Sequence, residues 1–129
     1  MKHQTGFTLI ELVIVIVLLG VLSAIAIPRF VNLEDEAQAA ALNANVSAIT
    51  SAMNINYAAC AVNNHTAGGD CAAVSNCNQA GAVLSGGVPA GYSVANVALP
   101  TGNGSTADCV LTQTATGATD TFTAVRAGT

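Results

Sequence analysis

From Phe7 to Ile27 the chain is apolar at every position except Thr8, Glu11 and Ser23. As an α-helix these 21 residues measure about 31 Å, close to the roughly 30 Å hydrocarbon core of a bilayer. No small soluble domain surrounds such a segment on all sides, so it requires lipid or other helices around it. Lys2 precedes the run and, by the positive-inside tendency, places the N-terminus in the cytoplasm and the rest of the chain outside. Charged residues make up only 8% of the 129 residues, against about 25% in an average soluble domain. That excludes a highly charged disordered chain. Lys2, Arg29 and Arg126 are the only basic side chains and the net charge is -4, which leaves no basic patch for a specific nucleic-acid partner.

Two plain readings of the run are a cleaved secretory signal, for which Ala24-Ile25-Ala26 supplies a small-x-small pattern, and a simple membrane anchor. Neither has a use for Glu11, because a carboxylate inside an apolar core is costly and marks a functional position with a partner to be named. The ordered string Gly6-Phe7-Thr8-Leu9-Ile10-Glu11-Leu12 closely resembles the processing motif of type IV prepilins and of type II secretion pseudopilins. The resemblance implies that a prepilin peptidase cuts after Gly6 and methylates the new amine of Phe7. It also implies that Glu11 pairs with that amine on a neighbouring subunit. A buried charge is tolerable when paired, and such a pair rewards one offset between neighbouring helices. Pro28-Arg29-Phe30-Val31-Asn32-Leu33 further resembles the corresponding stretch of the mannose-sensitive haemagglutinin type of pilin.

Beyond the apolar run, Leu42, Val46, Ile49, Met53, Tyr57 and Cys60 recur at steps of three and four, the stripe of an amphipathic helix. Alanines between residues 37 and 48 add helix propensity, and Glu34, Asp35 and Glu36 suit the early turns of a restarted helix. The pattern predicts one helix from about Phe7 to Val62, bent or locally melted between Gly20 and Pro28, where proline removes a donor and crowds the preceding turn. Met53 and Tyr57 read as core residues.

Residues 63–81 have the composition of an irregular loop. Strand-like runs follow at Ala82–Ser85, Tyr92–Leu99, Asp108–Gln113 and Thr121–Val125, separated by glycine-rich turns. Three or four antiparallel strands covering the helix stripe bury both apolar faces. The class expected is α+β, the pilin fold: a long kinked N-terminal helix whose outer half packs on a small antiparallel sheet. The parts are a leader (1–6), a transmembrane or filament-core helix (7–28), an amphipathic continuation (29–62) and a disulfide-stapled loop and sheet (63–129).

Four cysteines in an exported domain imply two disulfides, with three possible connectivities. Cys60–Cys71 with Cys77–Cys109 is preferred, tying the helix end to the loop and the loop to a strand. Resemblance to pilins that keep only the pair corresponding to Cys77 and Cys109 supports it. Cys71–Cys77 with Cys60–Cys109 is the alternative. A zinc site using these cysteines and His65 lacks the usual short ligand gap, so no metal or other cofactor is expected. His3 reads as a leader residue. No catalytic set is visible, and three Asn-x-Ser/Thr matches at Asn45, Asn64 and Asn103 are common by chance in a chain of this composition.

The expected role is structural: a type IV pilus subunit that waits in the inner membrane and polymerises into an extracellular filament for adhesion, motility or biofilm formation. Its implied partners are copies of itself, the prepilin peptidase and the assembly machinery. A type II secretion pseudopilin is the alternative, although Asp108 and Asp120 are too few for a calcium cage of the kind major pseudopilins often carry. A secreted enzyme or binding module with an ordinary signal is the reading from another class.

Overall fold

The computed structural model describes residues 6–129, so Lys2 and His3 lie outside the described residues. Helix α1 runs from Leu9 to Val62. Helical backbone continues through both Gly20 and Pro28, so the locally melted alternative is not adopted. A proline removes one rung of the hydrogen-bond ladder, and rungs on both sides hold the helical path. The restarted helix expected to begin shortly before Glu34 is likewise replaced by an uninterrupted helix.

The chain divides into two units, the first ending at Gln38 and the second spanning Ala39–Thr129. In the first unit, every large apolar side chain described from Phe7 to Leu33 is exposed.

In the second unit, the helix stripe lies under a three-stranded antiparallel sheet of order β1-β2-β3, with β1 at Tyr92–Val94, β2 at Thr106–Gln113 and β3 at Thr119–Val125. Leu42, Val46, Ile49 and Met53 of α1 share one buried cluster with Cys109 and Leu111 of β2 and Phe122 and Ala124 of β3. Alternation on the strands produces this arrangement. Cys109 and Leu111 point inward while Asp108 and Val110 point outward, and Cys109 pairs across the ladder with Phe122. The turn between β2 and β3 closes on Gly117, at φ +74°, whose amide donates to Gln113 O at 2.8 Å.

Two of the expected strands are revised. Ala82–Ser85 is not a strand; a 3-10 helix occupies Cys77–Val83. Its Ala and Gly content has little strand preference, and Gln79 Oε1 accepts from the amides of Ser75 and Asn76 at 2.7 and 3.0 Å, which folds the segment back on itself. The Tyr92–Leu99 run leaves β2 after Val94. Its second half pairs with the loop instead: Cys77 N donates to Val97 O and Leu99 N to Ser75 O, both at 2.8 Å.

Two disulfides staple this unit, Cys60–Cys71 and Cys77–Cys109. Beside the first, Asn56 occupies the buried stripe and Tyr57 is half-buried. The Asn56 side chain imitates a strand partner: Nδ2 donates to Ala72 O at 2.9 Å and Oδ1 accepts from Ala72 N at 2.8 Å. Replacing it with alanine strands both backbone groups. Asn56→Ala is therefore expected to cost about 1–3 kcal/mol, read as a lower urea midpoint of the full chain in detergent. An unchanged midpoint would show that the loop is held by the disulfide alone.

Candidate functional site

The segment singled out by the sequence is the start of α1. Gly6 and Phe7 precede the helix, and Phe7 is 90% exposed. A β-carbon built on Gly6 meets nothing within 4 Å, so no packing among the described residues demands glycine there. The same holds at Gly20.

Thr8 stands immediately before the first helical residue and Glu11 at the third helical position. Their side chains close on one another. Thr8 N and Thr8 Oγ1 donate to Glu11 Oε2 at 2.9 and 2.8 Å, and Glu11 N donates to Thr8 Oγ1 at 3.4 Å. This is the reciprocal capping box, and the carboxylate also sits at the positive end of the helix dipole. Thr8 was not identified by sequence reasoning as part of the site. The signal was present, since Thr-x-x-Glu before an apolar run is itself the capping pattern. Glu11 thus has a task within its own chain, and Oε1 stays available to a second donor because an ionised carboxylate accepts at both oxygens.

Ser23 is the remaining polar side chain of the run, and its Oγ donates to Leu19 O at 2.7 Å. All three polar side chains between Phe7 and Ile27 are therefore bonded within the helix, which suits surroundings without water. Their large apolar neighbours are exposed all round, from 42% at Val13 to 90% at Phe7, far more continuous apolar surface than a soluble monomer carries. The helix is long and apolar enough to cross a membrane.

The other candidates fall elsewhere. All four cysteines are engaged in disulfides, which removes the thiolates that a zinc site with His65 would need. His65 packs its ring 5.3 Å from that of Tyr57, and its Nδ1 is buried with no hydrogen-bond partner among the described residues. Asp108 and Asp120 lie on adjacent strands and do not converge: Asp108 faces Thr123 in the ladder and Asp120 faces Leu111.

Residues 1–27 match the family model described as the prokaryotic N-terminal methylation motif. Over 50 residues the chain is 58% identical to the type IV narrow pilus major component PilA5 of Thermus thermophilus, a match covering 39% of this chain and 43% of that one. It is 46% identical over 52 residues to a fimbrial protein of Pseudomonas aeruginosa, covering 40% of this chain and 34% of the relative. It is also 35% identical over 54 residues to the type II secretion system core protein G of Pseudomonas aeruginosa, covering 42% and 38%. The chain spans less than half the length of each of these relatives. No solved structure matches it.

The N-terminal segment carries the prokaryotic N-terminal methylation motif with a long apolar helix behind it. Over its first part the chain is thus similar to type IV pilins, and behind that segment it has an α+β arrangement of a long helix and a three-stranded antiparallel sheet.

Proposed function

We propose that this chain is the precursor of a structural subunit of a type IV pilus. It is a building block and not an enzyme, and it is held in the inner membrane by α1 until it polymerises into an extracellular filament. The observation that carries this reading is the uncovered apolar helix headed by the Thr8–Glu11 box directly behind Gly6 and Phe7. A prepilin peptidase cuts after Gly6 and methylates Phe7. Because no contact among the described residues requires glycine at position 6, we assign that requirement to the peptidase's binding cleft.

Cleavage creates a new amine next to Thr8. Glu11 Oε2 holds its own helix start, and Oε1 accepts the Phe7 amine of a neighbouring subunit. One carboxylate then sets both the first turn and the offset between copies, while identical apolar helices replace lipid around α1. Gly20 and Pro28 supply the points at which the helix yields as it moves from bilayer to filament. The filament serves adhesion, motility or biofilm formation, and the assembly machinery supplies the energy.

The pseudopilin reading draws on the match to the secretion-system core protein G. The separation of Asp108 and Asp120 and the two disulfides favour a subunit of a surface pilus. Intact mass of the mature chain tests the proposal. The expected product begins at Phe7 and carries one methyl group. A product cut near Ala26 would replace the filament reading by an ordinary secreted domain.

A further inference from the structure

The globular unit carries two clefts side by side, divided by one loop. A cleft of about 480 Å³ lies against Ala59, Val62 and Asn63, and one of about 240 Å³ against Ile55, Ala82 and Val83. Gly69 and Asp70 line both. On the helix side their flanks are the two large apolar side chains that α1 leaves uncovered in this unit, Ile55 at 71% and Val62 at 88% exposure. Three carboxylates belong to the globular unit. Asp108 accepts from Thr123 Oγ1 at 3.4 Å and Asp120 from Thr121 N at 2.8 Å, whereas Asp70 accepts nothing among the described residues. An anion without a partner, between two clefts flanked by exposed apolar side chains, calls for a cation flanked by apolar groups.

The chain offers few cations. Lys2 belongs to the segment that processing removes, and the Phe7 amine is assigned to Glu11 in the reading above. Arg126 is engaged, with Nε on Thr129 Oγ1 at 2.9 Å and one terminal nitrogen on Leu99 O at 3.3 Å. Arg29 remains. It is exposed, makes no hydrogen bond among the described residues, and stands beside Phe30 and Leu33, which are 70% and 57% exposed. Spacings of three and four residues bring Arg29, Phe30 and Leu33 onto one side of the helix.

We propose that a second copy of this chain docks its Arg29–Leu33 face onto these clefts, the guanidinium on the Asp70 carboxylate and Phe30 and Leu33 against the apolar flanks. The contact rests on the filament reading and adds to it an interface on the globular unit. The ion pair selects register, since Glu34, Asp35 and Glu36 follow Arg29 on the same helix and would repel Asp70 at a shifted offset. The apolar flanks exclude water from the pair.

Charge exchange tests it, read as sheared surface filament and as processed subunit in the membrane. Arg29→Asp and Asp70→Arg are each expected to lower filament yield more than tenfold at an unchanged membrane level, and the double exchange to restore at least half. Wild-type yield from either single variant overturns the proposal. So does a double variant no better than the singles, which is the result if Arg29 instead binds lipid phosphate or the acids of a neighbouring helix. Should Asp70→Arg fail to fold, Arg29→Gln and Asp70→Asn carry the test: together they do no more harm than either alone, and additive losses overturn the contact. A wild-type chain that forms no filament overturns the filament reading itself.

Discussion

Cells making only Glu11→Gln are expected to lose surface filaments by more than tenfold while retaining processed subunit in the membrane. The amide keeps an oxygen for Thr8 N, so the first turn of α1 stays closed. What it loses is the negative charge that we propose holds the Phe7 amine of a neighbour. Glu11→Ala removes the cap as well as the charge, so its first turn frays in addition. Comparing the two variants separates the tasks assigned to this carboxylate. A filament yield from Glu11→Gln equal to wild type would leave Glu11 as a helix cap and remove its role between subunits. A loss confined to Glu11→Ala would place the whole effect in the Thr8–Glu11 box.

The second large effect concerns the staples. Residues 77 and 109 are 32 apart in sequence and residues 60 and 71 are 11 apart. The chain-entropy relation assigns about 3.7 kcal/mol to the longer loop and about 2.8 kcal/mol to the shorter. Location widens the difference. Cys77 and Cys109 sit fully buried in the main core beside Phe122 and Leu111, where lost sulfur atoms leave a void, while Cys60 and Cys71 share a small cluster with Ala127. Replacing Cys77 and Cys109 together by alanine is expected to lower the melting temperature of the full chain in detergent by at least about 12 °C. The Cys60 and Cys71 pair is expected to cost less. The reverse order would mean that the loop at Ala72, and not the central strand, holds the unit together.

How far the molecule could be read from its residues follows from the range of the interactions involved. Helix α1 was legible almost to the residue, because its evidence is local: an apolar run of membrane length, then a stripe at steps of three and four. The β2–β3 hairpin was legible as two strand-like runs, 108–113 and 121–125, on either side of a glycine turn at Gly117. Ala82–Ser85 was misread because a short apolar run has no period of its own, and Gln79 closing on Ser75 and Asn76 decided its shape. The departure of Ala95–Leu99 from β2 depended on residues 75–77 arriving beside it, which no local pattern announces.

At the site the division is similar. Gly6, Phe7 and Glu11 were legible as an ordered motif, and Thr8 was legible in principle, being three residues from its partner. Asn56 was not: sixteen residues separate it from Ala72, and its neighbour Tyr57 fitted the stripe equally well. Asp70 stands out only in the structure, where its loop is tied to α1 by Cys60–Cys71 and it lines two clefts.

The sequence by itself determined the apolar helix, the motif at its head and the presence of two staples, since each rests on residue type and spacing within a few turns of chain. Only the tertiary structure decided where the sheet edges fall, which buried polar group pins the loop, and which charges are left without partners. Those outcomes come from contacts between residues far apart in sequence, where closing the chain sets the geometry and local preference has little to say.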